Sequence, residues 1–339
     1  MDHRGWIRRI VALLLFAVVV VLVAIVAPVR AQQEAPKYKN LKVLPKDITP
    51  AELRPLMSTY TRALGVRCTF CHVGEEGKPI RDEDFQKDDK EEKQTAREMM
   101  KMVNDINSTY LGHLHDRADP PVAVKCVTCH RGATRPRMLQ DVLQAAYQTG
   151  GLDSTVARYQ SLRDRYYGRF TYDFGDVPLS DVANQVRQSG HPDDALRLQA
   201  LNVQMNPQSP FAKRQHAGAS IAQAFRALGA DSGAATYASF KQRYGPSVVS
   251  EGLVNDIGYT LLGEGKVPEA IAAFRLNTTE HPASSGAFDS LGEGYMAHSD
   301  WKLATEAYTK SLALDPTNDN AKQKLEEIKT HSKDKKRKK

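Results

Sequence analysis

All four cysteines of this 339-residue chain stand in two copies of one pattern, Cys68-Thr69-Phe70-Cys71-His72 and Cys126-Val127-Thr128-Cys129-His130. Cys-x-x-Cys-His is the attachment signature of c-type haem. The two thiols add across the haem vinyl groups, and the histidine that follows turns its imidazole onto the iron. Two copies with no cysteine left over make the pattern specific. A four-cysteine zinc ribbon uses paired Cys-x-x-Cys units too, but at a shorter separation, and both histidines are then coincidence. Structural disulfides are allowed outside the cytoplasm, yet a chain of this length has core enough without them. The sequence therefore implies two covalently attached haem c groups, with His72 and His130 as iron ligands.

A low-spin haem needs a sixth ligand, and the residues before each motif offer one. Thr49-Pro50-Ala51-Glu52 is a capping box with proline at the first helical position. Met57, Tyr60, Thr61 and Leu64 then share a helical face, Pro55 is expected to bend the helix, and Gly65 suits its stop. Met57 precedes Cys68 by eleven residues, so helix, turn and attachment site can fold back over one haem. A helical methionine is commonly core filler; beside an attachment motif it is a ligand candidate. Before the second motif, Thr95–Tyr110 is a good helix former with Met99, Met102, Val103 and Ile106 on one face and Met100 to its side. Spacing leaves Met99 and Met102 open, since they are one turn apart.

From about Leu56, through Ala96-Arg97-Glu98-Met99-Met100-Lys101-Met102 and Ile106-Asn107 to Cys129-His130-Arg131-Gly132, the residues resemble the cytochrome c subunit of purple-bacterial photosynthetic reaction centres. The likeness covers roughly Lys37 to Leu139, two of that family's four haem segments. It implies Met57 and His72 as the axial pair of the first haem, and Met99 and His130 as that of the second. His113 matches a family histidine that ligates a further haem in a half with no attachment motif here, and reads as a surface or haem-edge residue. The turn before Cys68 is shorter than in the family, and the loops after His72 and before Cys126 are longer.

The chain opens with Arg4, Arg8 and Arg9 before an apolar run at residues 10–27. Val29-Arg30-Ala31 suits signal-peptide cleavage, and the run is also long enough to span a bilayer. Residues 1–31 are thus a signal peptide or an N-terminal membrane anchor. Either places the remainder in the periplasm, where haem c is attached. The net charge of +7 is concentrated at the ends. Residues 1–31 carry +3 and Lys333–Lys339 carry +5, which leaves the body at −1 and argues against nucleic-acid binding. The basic tail, 331–339, reads as a solvated end. Residues 81–93, dense in both signs, lack the glycine and spacing of a calcium loop and read as a solvated loop and helix entry.

Beyond Met138 the texture becomes alanine-rich helix with a 34-residue repeat, the tetratricopeptide period. Phe288, Leu291, Gly292, Tyr295, Ala304, Tyr308 and Pro316 repeat Val254, Ile257, Gly258, Leu261, Ala270, Phe274 and Pro282. Ala195 and Pro207 mark a weaker copy, residues 217–245 look irregular, and Ala321–Thr330 reads as a polar capping helix. These residues resemble tetratricopeptide proteins.

The expected fold is all-α: a small dihaem cytochrome c domain at 37–140, a helical connector at 141–175 and a tetratricopeptide-like array at 176–330. The expected function is electron carriage between a membrane oxidoreductase or reaction centre and a periplasmic carrier, with protein docking through the repeats. The alternatives are a dihaem peroxidase, which needs one open iron, and a repeat scaffold assembling a larger redox complex.

Overall fold

A computed structural model describes residues 38–75, 78–79, 84–115 and 119–337. The N-terminal apolar run at 10–27 and the cleavage site at Ala31 lie outside the described residues, as do Arg81, Asp82 and Glu83. No described helix is long and apolar enough to cross a membrane. The described chain is all-α apart from one isolated bridge between Val73 and Asp84. It divides into two compact units, one up to Thr134 and one from Arg135 onward.

The first unit contains α1 (Pro50–Leu64), α2 (Glu91–Asp105) and the short α3 (Cys126–His130). Thr49 caps α1: the Glu52 carboxylate accepts from the Thr49 N–H and hydroxyl, both at 2.9 Å. The helix runs unbroken through Pro55, and Gly65 ends it in the left-handed region at φ 67°. Helix α2 begins at Glu91, four residues before the sequence expectation. It widens at its end into a π-helical turn, Ile106–Tyr110. Among its described residues this unit has almost no apolar core. Its buried apolar side chains, among the described residues, are Ile48 and Ala63, while Lys93 and Arg97 are buried too.

The second unit is the reverse, with a dense apolar interior. Helix α4 (Leu139–Tyr166) kinks at Gly150–Gly151, where the backbone leaves helical geometry. Its Leu143, Leu152, Tyr159 and Leu162 share one core with Leu179, Val182, Val186 and Leu198. The segment between haem motifs and repeats is therefore packed into the array. Four antiparallel pairs follow: α5 (Asp176–Gln188) with α6 (Pro192–Met205), α7 (Pro210–Leu228) with α8 (Ala230–Tyr244), α9 (Glu251–Gly263) with α10 (Val267–Glu280), and α11 (Ser285–Ala297) with α12 (Trp301–Leu314). Helix α13 (Asp319–Arg337) closes the series. The segment that looks irregular in sequence, 217–245, is a helical pair whose first member has 19 residues, which breaks the repeat register.

Each of the last two pairs is held by an aromatic ring against a glycine. A Cβ at Gly258 would lie 2.2 Å from the Phe274 ring, and one at Gly292 would lie 2.8 Å from the Tyr308 ring. Only hydrogen at these positions lets the paired helices close over fully buried aromatics. Phe274→Ala removes the wedge between α9, α10 and α11 and should cost about 3–5 kcal/mol, read from denaturant unfolding of the helical signal. A loss below about 1 kcal/mol would mean the groove collapses around the smaller residue, against this packing.

Candidate haem sites

The two motifs take up similar one-turn geometries. Cys68 opens a 3-10 turn in which its carbonyl accepts from Cys71 N–H at 3.1 Å and His72 N–H at 2.9 Å. Cys126 opens α3, whose entry is fixed by Lys125 N–H donating to the Thr128 hydroxyl at 3.0 Å. One helical turn between cysteines brings both thiols to the same side as the following histidine, as two-point attachment of a planar group requires. All four cysteines are free thiols; Cys129 is exposed and the others half-buried. Among the described residues no three His, Cys, Asp or Glu side chains gather as a metal site.

The helices are shared between motifs in a way the sequence does not announce. The end of α1 docks on the second motif: Gly132 N–H donates to Ala63 O at 2.8 Å. A Cβ on Gly65 would lie 2.2 Å from Gly132 O, so the two backbones touch. Tyr60, on the same helix, has its hydroxyl pushed up by burial and then by the nearby Cys126 thiol. The first motif instead lies by the start of α2. Lys90 Nζ donates to Thr69 O, inside the motif. The Phe85 ring meets the His72 ring edge-on with centroids 4.9 Å apart.

Behind Phe85 stands an ion cluster in which Lys93 and Arg97 are buried, Asp88 is half-buried and Lys42 is exposed. Lys93 Nζ donates to Phe85 O at 2.9 Å and pairs with Asp88 at 3.0 Å. Arg97 reaches Asp88 at 2.9 Å and Lys42 reaches it at 2.7 Å, with Asn40 donating at 2.8 Å. Hydrogen bonds from Arg97, then Lys42, Lys93 and Asn40, hold the Asp88 carboxyl far below the usual range. Lys93 is thus no part of a solvated loop: it is 7% exposed, as is Arg97. Pairing across the fold decided this, and charge density along residues 81–93 could not show it.

The two histidines differ. His130 donates Nδ1–H to Ala133 O at 2.9 Å, the usual second partner of a ligating imidazole. His72 has a buried Nδ1 with no hydrogen-bond partner among the described residues. Its ring is pushed down to about 4, first by burial and then by Lys93, Arg97 and Lys90. Met57 is half-buried on α1. On α2, Met99 is 41% and Met102 45% exposed, on the side away from Lys93 and Arg97, while half-buried Met100 lies nearer that pair. Exposure does not separate Met99 from Met102. His113 is exposed, and its Nδ1 bonds Thr109 O.

These residues fit a haem at each motif. Beside the free thiols and histidines, the first unit leaves Phe70, Phe85, Met99, Met102, Tyr110 and Val127 exposed around almost no core. A flat apolar macrocycle covers such surface.

Residues 17–164 match the family model described as photosynthetic reaction centre cytochrome C subunit. The photosynthetic reaction center cytochrome c subunit of Roseobacter denitrificans is 34% identical over 101 residues, 29% of this chain and 25% of that subunit. The chain thus spans about a quarter of the length of that curated relative. Among solved structures, MamA from Desulfovibrio magneticus (residues 41 to end) is 19% identical with a TM-score of 0.30, covering 48% of this chain and 87% of that one. YrrB, a TPR protein with an unusual peptide-binding site, is 12% identical with a TM-score of 0.29, covering 56% and 90%. A thermophilic TPR protein of Thermus thermophilus, TTC0263, is 15% identical with a TM-score of 0.29, covering 56% and 96%.

Proposed function

We propose, from the premise that the N-terminal part of this chain is a reaction centre cytochrome c-like segment followed by tetratricopeptide-like repeats, that the protein is an exported dihaem electron carrier. The observation that carries the reading is the first unit: two attachment motifs in a segment whose own buried apolar side chains, among the described residues, are Ile48 and Ala63. Cys68 and Cys71 hold one haem and Cys126 and Cys129 the other. His72 with Met57 would hold one iron, and His130 with Met99 the other.

A haem held by histidine and methionine supplies one-electron Fe(III)/Fe(II) chemistry at raised potential. The chain's part is to fix the ligands and shape access. Thr49 and Glu52 cap the helix bearing Met57, and Gly65 stops it against Gly132. Ala133 O sets the orientation of His130, and Phe85 sets that of His72. The carrier works between a membrane oxidoreductase or reaction centre and a second periplasmic carrier, and the repeat unit docks the partner. Residues 10–27 take the chain across the cytoplasmic membrane or anchor it there.

The full chain should take up two electrons in reversible one-electron steps, followed optically against a mediator, and should bind two haems that survive denaturing electrophoresis. One electron per chain, or haem lost on denaturation, would reject the dihaem reading.

A further inference from the structure

The motifs share a sequence pattern but not an environment, and the differences act in one direction. Behind His72, Lys42, Lys93 and Arg97 meet Asp88, and Asp84 faces Lys93 and Lys87, so that among the described residues the cations of the cluster outnumber its carboxylates. Two of them, Lys93 and Arg97, are 7% exposed, so solvent screens them weakly. Lys93 is tied through Phe85 O to the ring that packs on His72. Lys90 adds a further positive charge at Thr69 O, balanced by Glu92 facing Cys71. At the second motif the neighbouring cations Lys125 and Arg131 are exposed to water.

The imidazoles differ in the same sense. His130 donates its Nδ1–H to Ala133 O, which makes the ring a stronger electron donor and favours the ferric state. His72 Nδ1 is buried and, among the described residues, has no hydrogen-bond partner to give that push. Weakly screened positive charge favours the added electron, and a donated Nδ1–H opposes it.

We infer that Lys93 and Arg97, as positioning residues, set the first site at the higher reduction potential, so that an electron entering the pair rests at Cys68-x-x-Cys71-His72 and leaves from there. The inference rests on the dihaem reading above and adds a direction to it. One net charge in a weakly screened setting shifts such an equilibrium by on the order of tenfold.

The test is a spectroelectrochemical titration of the full chain, assigned with two single-site variants, Cys126→Ala/Cys129→Ala and Cys68→Ala/Cys71→Ala. Two one-electron waves are expected, separated by at least tenfold in equilibrium constant, about 59 mV. The upper wave should remain when the second motif is removed, and the lower when the first is removed. Lys93→Met should lower the upper wave and leave the other in place, and Lys93→Arg should restore it. Coincident waves, a reversed assignment, or equal movement of both waves on Lys93→Met would overturn the ordering. Should Lys93→Met fail to fold, Lys42→Met at the exposed edge of the cluster must lower the upper wave by a smaller amount; no movement overturns the inference. A chain without covalent haem at either motif would instead strike the dihaem reading itself, and the ordering with it.

Discussion

Replacing Cys126 and Cys129 with alanine in the full chain should halve the covalently bound haem, and replacing Cys68 and Cys71 should remove the other half. Each motif supplies its own pair of thiols on one helical turn, so attachment at one does not need the other's cysteines. Haem-specific staining of a denaturing gel, with the pyridine haemochrome absorbance per chain, reads the outcome. The effect should extend to folding of the first unit. Its apolar side chains are spread over its surface rather than gathered inside, so removing both pairs of cysteines should leave 38–134 without a cooperative transition. The array, with Leu143, Leu179, Phe225 and Phe274 in continuous cores, should keep its helical signal and its own unfolding transition. Acid–acetone extraction of the colour, or stoichiometric zinc in its place, would end the haem assignment.

What the sequence displays and what it hides divide along the type of contact. Covalent chemistry and side-chain periodicity are legible: the motifs carry their own spacing, and Gly258, Phe274, Gly292 and Tyr308 recur at one period because the same wedge is used twice. The all-α class follows from these. A further periodic signal was there to read. Ser250, Ser284 and Asn318, each thirty-four residues after the last, cap alternate helices, α9, α11 and α13, through N–H groups of Leu253, Ala287 and Ala321.

Contacts made by backbone, or by charges distant in sequence, are not legible. Gly65 signals a helix stop, but nothing in its neighbours says that Gly132 closes on it. Asn40, Lys42, Asp88, Lys93 and Arg97 look like ordinary surface residues until the fold gathers them. Helix α2 consequently buries a polar stripe and exposes methionines, the inverse of the usual amphipathic pattern. The helical pair at 210–244 escaped for another reason: its longer first helix shifts the register by which a repeat is recognised.

Met57→Ala and Met99→Ala should each convert one six-coordinate site to an open one, and their effects are largest where ligand binding is measured. With both methionines in place, ferrous protein should bind carbon monoxide poorly and reduce peroxide no faster than an inert c-type cytochrome. Outer-sphere exchange with a small mediator needs only an accessible haem edge and should stay fast. Either substitution should raise carbon monoxide binding to about one site per chain and lower the potential of the altered haem, because thioether ligation favours the ferrous state. Met102→Ala is the control. It stands one turn from Met99 on the same side of α2 and is equally exposed, 45% against 41%, so a response from Met102 alone would move the ligand by one turn. The wild-type response decides between carrier and peroxidase. Fast peroxide reduction that disappears on altering one motif would mean that an iron is already open and would make the protein an enzyme. Exposed His113, whose Nδ1 is engaged by Thr109 O, would then be the first proton-transfer candidate to replace. The carrier outcome is expected, since a methionine-bearing helix precedes each motif, and helical caps and turns hold Met57 in a fixed register.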